Sequence, residues 1–390
     1  MSTRRELMLG ALGGLLATPA WGAADEVQIS AALSGKSALI RRSYRPPNYE
    51  TPLADLAPLY TANESFFVRY HLALVPVLEP GEWRLSIAGS SLKTPLTLSL
   101  RDLKSRYEPV TLAAVNQCSG NRRGLFMPRV PGVQWESGAV GNALWKGARL
   151  RDVLKQGGLG ADALEVWFSG ADRPVLPATP VFQKSLPLER ALDENVLIAY
   201  EMNHAPLPRW NGAPARLIVP GWMGTYWMKH LTEVRVEPKP LESFWMKSAY
   251  RLPAGAFPGA HFASQETPET APVTELLVNS LISSPATGSR ITRGKNVQLA
   301  GKAWDAGAGI QAVEVSIDGQ KSWKPATLGK DVGRYAWREF SAPLDTSSAG
   351  TLEVAVRARS RDGSQQPRAL TFNPSGYHNN IVQTLRLEVT

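Results

Sequence analysis

A single thiol lies beside two cations in the stretch AAVNQCSGNRRGLFMP, residues 113–128. Cys118 is the only cysteine of the 390-residue chain, and the triplet Ser-Gly-Asn separates it from Arg122 and Arg123. Nearby positive charge favours the thiolate, and Gly120 permits backbone conformations that would fold the arginines back toward the sulfur. Such a thiolate can be a nucleophile or a ligand for a soft or high-valent metal. A packed thiol and an intermolecular link are the alternatives.

Several common enzyme motifs are absent from the sequence. None of the five histidines is paired as in an H-E-x-x-H zinc site. There is no G-x-S-x-G nucleophile elbow, and a single cysteine cannot form a C-x-x-C-H haem attachment. A nucleophilic Cys118 would need a base, and no histidine is close to it in sequence. The cysteine loop therefore remains the main candidate for chemistry.

The composition is that of a basic globular protein. The formal charge is +9, with 43% hydrophobic and 20% charged residues, and the length suits two or three domains. Because no lysine-rich or arginine-rich run stands out, we expect a basic solvated surface and no nucleic-acid partner. Beyond the first two dozen residues no apolar run is long enough for a membrane span, so we expect none.

The first residues, MSTRRELMLGALGGLLATPAWGAAD, predict an export signal over residues 1–24. Arg4 and Arg5 precede a mildly apolar stretch, and small residues follow at a possible cleavage site. The paired arginines favour twin-arginine export over the general secretory pathway. We therefore expect a periplasmic protein, in a compartment where cysteines usually pair.

The chain after the signal divides into an arm and an α+β domain. Residues 25–60 are proline-rich and predict an extended N-terminal arm, whereas residues 61–255 mix strand and helix patterns. The run ESFFVRYHLAL predicts a strand with Phe67, Arg69 and His71 on one face. A short helix is expected in LSLRDLKSRY with Ser99 as its N-cap, and the β-rich run VTLAAVNQ leads into Cys118.

The C-terminal residues have a different pattern. A linker rich in proline, glycine and alanine is predicted over residues 256–271. Residues 272–390 contain short alternating strands separated by turn signals such as Asp318-Gly319 and Asp362-Gly363. This pattern is typical of an immunoglobulin-like β-sandwich, here without an inter-sheet disulfide.

Four ordered motifs carry a resemblance to a known family. The loop C-S-G-N-R-R, with F-V-R-Y-H about fifty residues before it, resembles the sulfite oxidase family of molybdenum enzymes. PLPRWNGAPARLIVPGWMGTYWMKHL (206–231) and ESFWMKSAYR (242–251) extend the resemblance, and the ending NPSGYHNNIV is similar to the family's dimerisation domain. The resemblance covers nearly all of the chain after the signal.

The resemblance implies a site. It implies that Cys118 is the protein's only thiolate ligand to molybdenum, and that Arg69, Arg123 and Tyr250 line an anion pocket above the metal. Arg122 would only support the loop. Asn211 stands where animal members carry histidine. The residues implied to contact the molybdopterin are Phe67, Val68, Arg69, His71, Cys118, Asp172, Asn211, Arg216, Trp227, Met228 and Lys229.

The resemblance also implies a function, namely sulfite dehydrogenase activity. Sulfite would be oxidised to sulfate by oxygen-atom transfer at the molybdenum centre. No haem domain is recognisable in the sequence, so we expect electrons to pass to a separate c-type cytochrome. A homodimer through the C-terminal domain is expected as well.

Three alternatives remain open at this point. Two are enzymes of the same fold: a sulfane dehydrogenase of a sulfur-oxidation complex and a periplasmic methionine sulfoxide reductase. The reductases are usually shorter, so residues 272–390 argue against that alternative. The third is an exported binding protein with a degenerate cofactor domain.

Overall fold

A computed structural model describes residues 33–254 and 270–390. The predicted signal segment lies outside these residues, as do the start of the predicted arm and nearly all of the predicted linker. Within the described residues, no helix is long and apolar enough to cross a membrane.

The predicted N-terminal arm is built into the α+β domain. Its strands β1 (Ile40–Ser43) and β2 (Asn48–Glu50) pair with each other, and β2 pairs with β3 (Val68–Arg69), so the three form an antiparallel sheet. The run ESFFVRYHLAL therefore forms a strand of only two residues, shorter than its alternation predicts. The reason is that Tyr70 leaves the ladder: its backbone N–H donates to the Asn48 side chain, 3.2 Å away.

The remaining strands of the α+β domain run from residue 84 to residue 253. Four α-helices and four 3-10 helices occur between residues 33 and 254. The α-helices are α1 (Leu100–Arg106), α2 (Leu150–Gly157), α3 (Leu188–Ala191) and α4 (Phe244–Lys247). The 3-10 helices are Leu53–Leu56, Arg123–Leu125, Arg209–Asn211 and Gly224–Tyr226. The strands are β4 (Arg84–Ala88), β5 (Leu96–Ser99), β6 (Pro109–Gln117), β7 (Val140–Arg149), β8 (Glu165–Gly170), β9 (Gln183–Pro187), β10 (Leu197–Met202), β11 (Ala205–Pro206), β12 (Arg216–Ile218), β13 (Leu231–Glu237) and β14 (Arg251–Pro253).

Two five-stranded sheets enclose the main apolar core of this domain. One has the order β11-β10-β7-β6, with β12 also paired to β10; the other has the order β5-β4-β13-β8-β9. Trp83, Trp145 and Phe168 are buried between them. The predicted helix is α1, and Ser99 caps it in a reciprocal capping box with Asp102.

The C-terminal domain is a sandwich of two sheets. Strand β15 (Thr270–Pro272) first pairs with β14 of the preceding domain. The strands of the sandwich are β16 (Asn279–Ser284), β17 (Arg290–Ile291), β18 (Val297–Trp304), β19 (Ile310–Ser316), β20 (Lys324–Pro325), β21 (Thr327–Leu328), β22 (Arg338–Leu344), β23 (Gly350–Ser360) and β24 (Gln383–Val389). One sheet has the order β16-β18-β22-β21 and the other the order β17-β24-β23-β19-β20, and the two sheets enclose a second apolar core. The predicted α+β domain followed by an immunoglobulin-like sandwich is confirmed.

The two domains share a core at the strand that leads to the cysteine. Val115 of β6 packs with Trp304 and Trp337 of the sandwich, and its N–H donates to Tyr335 O at 2.9 Å. Trp304 Nε1 donates to the Gln117 side-chain oxygen at 2.8 Å, next to Cys118. The C-terminal domain therefore takes part in positioning the cysteine loop.

Candidate active site

Hydrogen bonds fix the cysteine loop immediately after β6. The Cys118 N–H donates to Ala139 O at 2.9 Å, while the Asn121 side-chain oxygen accepts from the Ala139 N–H at 3.0 Å. The Asn121 N–H in turn donates to Cys118 O at 2.9 Å. Cys118 is buried, with 7% of its surface exposed.

The two arginines of the loop point in different directions. Arg122 turns toward the sandwich, where its guanidinium donates to Ser280 O at 2.7 Å and to Ile381 O at 2.9 Å. Arg123 lies on the sulfur side of the loop and lines a cavity together with Cys118. The expectation that both arginines fold back toward the thiol therefore holds for Arg123 alone, and Arg122 acts as a support.

Gly120 serves the loop by its small size. The left-handed residue of the turn is Arg122, with φ of 66°, whereas Gly120 has no positive φ. A Cβ at position 120 would lie 2.4 Å from Arg123 Nη1. The glycine is therefore required because the Arg123 guanidinium packs directly on its backbone, and the expected conformational role was wrong.

Three predicted residues, Tyr250, Arg69 and His71, meet at the Tyr250 hydroxyl. This hydroxyl accepts from Arg69 Nη2 at 3.3 Å and hydrogen-bonds His71 Nε2. The His71 ring stacks on Phe182 with centroids 3.7 Å apart, which fixes the imidazole. Burial first, and then the Arg69 charge, hold the pKa of His71 well below its usual range, so the imidazole is neutral.

Two adjoining cavities meet at the thiol. The empty space is about 470 Å³ in the first cavity and about 910 Å³ in the second, and both figures include space that is open to solvent. Cys118, Arg69 and Tyr250 line both, and Arg123 lines the second. The first cavity is lined in addition by Phe66, Phe67, His71, Asn116, Ser119, Trp210, Asn211, Arg216, Gly224, Thr225 and Lys229. The second is lined in addition by Gly120, Pro131, Gly132, Val133, Trp245, Ala249, Pro374, Ser375 and Tyr377.

Positive charge dominates the first cavity. Arg216 donates to Asn211 O and Trp227 O at 2.8 and 3.0 Å, and burial lowers the pKa of its guanidinium to about 9. Burial, followed by the Arg216 charge, lowers the pKa of Lys229 to about 7. Both pKa values would rise beside a bound anion, so the cavity suits a negatively charged group.

Four predicted cofactor residues do not line the first cavity. Val68 pairs in the ladder with Tyr49, and its side chain is fully buried. Trp227 and Met228 are buried, and their carbonyls accept from Arg216 and from the Leu217 N–H. Asp172 is 6% exposed, and its charge acts on Lys229. Val68, Trp227 and Met228 therefore belong to the packed core, while Trp227 O and the Asp172 charge act on the cavity through Arg216 and Lys229.

Asn211 lines the first cavity, but protein groups already occupy its amide. Its side-chain oxygen accepts from Lys36 Nζ at 2.7 Å, and its amide nitrogen donates to Phe67 O at 3.2 Å. Lys36 also donates to Asn63 O and Phe66 O, and burial lowers its pKa to about 7. Asn211 therefore stabilises the backbone at Phe67, which lines the first cavity.

Sequence reasoning missed several residues of the site. Asn116 and Ser119 flank the cysteine and line the first cavity, so their proximity was the available signal. Lys184 of β9 donates to Trp245 O at 2.7 Å and lies over the Tyr250 ring at 5.2 Å. Tyr377 reaches the second cavity from the sandwich. Tyr377 lies in the motif NPSGYHNNIV, which marked the segment but not its place at the site, whereas no local pattern distinguishes Lys184 from an ordinary strand residue.

Comparisons with known proteins agree with this geometry. The family model described as oxidoreductase molybdopterin binding domain matches residues 71–245, and the Mo-co oxidoreductase dimerisation domain matches residues 270–389. Sulfite oxidase of Gallus gallus is 35% identical over 338 residues, which cover 83% of this chain and 72% of that protein. The chain belongs to the sulfite oxidase family. This confirms the predicted family and its molybdenum cofactor.

Other members of the sulfite oxidase family are similar over most of the chain. Mitochondrial sulfite oxidase of Homo sapiens is 37% identical over 354 residues, which cover 86% of this chain. The chain spans 62% of the length of that human relative. The crystal structure of the sulfane dehydrogenase SoxCD from Paracoccus pantotrophus matches with a TM-score of 0.75 and 24% identity, covering 97% of this chain and 95% of that chain. That match shows a shared fold.

The first cavity fits the molybdopterin of this family. Three buried polar atoms on its lining have no hydrogen-bond partner within the described residues: Ser119 Oγ, Thr225 Oγ1 and Arg216 Nε. Unpaired buried donors are costly, so they indicate a ligand that supplies acceptors. Arg216 and Lys229 would hold a cofactor phosphate, and Cys118 would hold the metal at the junction with the second cavity.

Proposed function

We propose that this protein is a sulfite dehydrogenase, which oxidises sulfite to sulfate. The observation that carries the proposal is the junction of the two cavities, where Cys118, Arg69 and Tyr250 form a common wall and Arg123 stands beside them. A thiol suited to hold molybdenum thus faces two guanidinium groups across a space for a small anion. The names of the human and chicken relatives, both sulfite oxidases, support the same substrate.

The two arginines would bind the sulfite oxygens. Guanidinium groups donate paired hydrogen bonds to oxyanions and stay charged at all physiological pH values. Burial alone would lower the pKa of Arg69. The nearby Tyr250 and Cys118 side chains raise this pKa by more than burial lowers it, so the pKa of Arg69 is raised overall. The backbone carbonyls of Ser375 and Val133 hold Arg123, at 3.0 Å from Nε and 3.3 Å from Nη1. Both guanidiniums are therefore preorganised for an anion.

Tyr250 would orient the substrate and handle a proton. Its hydroxyl lies between the Arg69 guanidinium and the neutral His71 ring. A phenol and a neutral imidazole can each donate or accept, so this pair can hold a proton at the Tyr250 oxygen or pass it on. The left-handed backbone at Tyr250, with φ of 60°, aims the ring into the cavities.

The cofactor, when bound, would supply the transferred oxygen and take up the two electrons released by sulfite. Cys118 would hold the molybdenum through its thiolate, a soft ligand suited to such a metal. Because the thiol lies on the wall common to both cavities, the metal would be positioned between the pterin side and the anion side.

Steady-state oxidation of sulfite tests the proposal. The purified protein, with its molybdenum and pterin content measured, should oxidise sulfite with ferricyanide as the acceptor. Cys118→Ser should abolish turnover and leave the circular dichroism spectrum and melting temperature near those of the wild type, because serine is nearly isosteric. Turnover retained by Cys118→Ser would refute the ligand role.

The same assays separate the alternatives. Reduction of methionine sulfoxide without sulfite oxidation would favour a reductase, and oxidation of a protein-bound sulfane without sulfite oxidation would favour a sulfane dehydrogenase. A purified protein that contains neither molybdenum nor pterin would indicate a binding protein. The dimerisation-domain match over residues 270–389 supports the oxidase type of architecture over the shorter reductase type.

A separate c-type cytochrome is the proposed electron acceptor. The single cysteine of the chain rules out a C-x-x-C-H attachment within it. The formal charge of +9 falls to +8 without Arg4, Arg5 and Glu6 of the predicted signal, and this charge would attract an acidic partner. The rate with cytochrome c should therefore fall as ionic strength increases. A rate that does not change with salt would count against electrostatic steering.

We further propose export to the periplasm and a homodimer. The pair Arg4 and Arg5 supports twin-arginine export, and replacing both with lysine should leave the protein in the cytoplasm. The dimerisation-domain match supports self-association, which light scattering of the purified protein would measure. A monomer at all concentrations would contradict the dimer.

A further inference from the structure

The turn NPSGY, residues 373–377, forms a rigid loop at the edge of the second cavity. The buried Asn373 side chain closes it: its amide nitrogen donates to Tyr377 O at 2.9 Å, and its oxygen accepts from the Tyr377 N–H at 3.1 Å. The Gly376 N–H also donates to Asn373 O at 3.1 Å. Three hydrogen bonds within the turn therefore hold Asn373 and Tyr377 together.

Three residues of this loop contact Arg123. Ser375 O accepts from Arg123 Nε at 3.0 Å. A Cβ at Gly376 would lie 2.7 Å from Arg123 Cγ, so the aliphatic part of the arginine packs against the bare glycine. The Arg123 guanidinium carbon lies 5.1 Å from the Tyr377 ring centroid, within the range of a cation–π contact.

The same tyrosine also contacts Tyr250. The rings of Tyr377 and Tyr250 are stacked, with centroids 5.4 Å apart and an interplanar angle of 18°. Tyr250 has a positive φ of 60°, which is strained for a bulky residue and persists only when its surroundings hold it. Burial raises the pKa of Tyr377, so the phenol stays protonated and the ring stays neutral.

We propose that Tyr377 is a positioning residue for the anion site, which fixes Arg123 and Tyr250 relative to each other. The C-terminal domain would thus set the affinity of the second cavity for a small oxyanion. This inference rests on the proposed function for the identity of the substrate, whereas the contacts themselves concern only anion binding. Tyr377 need not touch the substrate for this role.

The expected size of the effect follows from the two ring contacts. A partly buried cation–π contact and an aromatic stack are each worth enough to change an affinity several-fold, so loss of both should weaken oxyanion binding about tenfold. Phenylalanine keeps both ring contacts but loses the hydrogen bond between the Tyr377 hydroxyl and the Tyr250 backbone, and leucine keeps none of the three. The two variants therefore separate the contribution of the ring from that of the hydroxyl.

The test measures sulfate affinity and sulfite kinetics on the same cofactor-loaded samples. Sodium sulfate is titrated in a thermal-shift assay against sodium chloride at constant ionic strength, for the wild type, Tyr377→Phe and Tyr377→Leu. The matched control is Phe372→Leu, which removes an aromatic ring from the same segment, packed on Phe126 away from the cavity. If Tyr377→Leu does not fold, Tyr377→Met takes its place because methionine better fills the volume.

Tyr377→Leu should weaken sulfate binding and raise the KM for sulfite about tenfold, with a smaller change in kcat. Tyr377→Phe should bind sulfate more tightly than Tyr377→Leu, and Phe372→Leu should bind it as the wild type does. Unchanged sulfate affinity in Tyr377→Leu, or an equal loss in Phe372→Leu, would overturn the inference. A wild type that binds sulfate without oxidising sulfite would refute the proposed function alone, since the binding comparison would still decide the role of Tyr377.

Discussion

Replacement of Gly120 by alanine tests whether Arg123 binds the substrate. The methyl carbon would lie 2.4 Å from Arg123 Nη1 and 2.6 Å from Cζ, whereas ordinary contacts are 3.4–4 Å. The backbone tolerates alanine because Gly120 has no positive φ. The flexible guanidinium, and not the fold, must therefore give way, by about 1 Å.

A displacement of this size is enough to break hydrogen bonds. The bond from Arg123 Nε to Ser375 O starts at 3.0 Å, so it would stretch beyond the useful range, and bonds to a substrate oxygen would be lost in the same way. A hydrogen bond to a charged group contributes about 1.5–3 kcal/mol. At about 1.4 kcal/mol for each factor of ten, the KM for sulfite should rise by roughly 10- to 150-fold.

The assay compares Gly120→Ala with Gly81→Ala, a matched change at a position with open space around it. Sulfite KM and kcat are measured with ferricyanide, and melting temperatures are recorded for both variants. We expect the KM increase in Gly120→Ala alone, with kcat close to the wild type and a small decrease in melting temperature from the lost bond between Arg123 and Ser375 O. An unchanged KM would refute the placement of Arg123 at the substrate, and a large loss of stability would refute the reasoning about the backbone.

Other predictions concern buried charges. Arg122→Met should lower the free energy of unfolding by about 2–4 kcal/mol in urea titrations, because Ser280 O and Ile381 O lose a buried cationic donor. Lys184→Met should stabilise the protein most near pH 6 and progressively less toward pH 10. Burial lowers the pKa of Lys184 from 10.5 to about 7, so the penalty for its charge is full below pH 7 and is relieved as pH rises. Equal effects of Lys184→Met at pH 6 and pH 9 would contradict this. Cofactor removal should make stability rise more steeply between pH 7 and pH 10, since Lys229 then loses the anion that keeps it protonated.

Local patterns in the sequence were sufficient for elements whose cause is local. Ser99 is the N-cap of α1 as predicted, and the cap is local because Ser99 and Asp102, three positions apart, bond each other. The β-rich run VTLAAVNQ indicates β6, and the pattern of residues 272–390 indicates the sandwich. By contrast, ESFFVRYHLAL is eleven residues long and forms a strand of two, because a side chain from β2 interrupts the ladder.

The sequence by itself determined the family, the fold class, and the residue types of the site, since Cys118, Arg69, Arg123 and Tyr250 lie in ordered motifs. Only the tertiary structure decided which loop arginine faces the thiol. The directions of Arg122 and Arg123 depend on carbonyl groups more than 150 residues away in sequence, in the sandwich.

Contacts between residues far apart in sequence also explain why the roles of Gly120 and Tyr377 were not predicted. Gly120 is needed because a guanidinium packs on its backbone, and Tyr377 matters because its ring meets Tyr250 and Arg123 in space. Neither contact has a signature in local periodicity, since both arise only when the two domains pack together. Residue types and turns are properties of the chain, whereas the direction of a long side chain is a property of its packed surroundings.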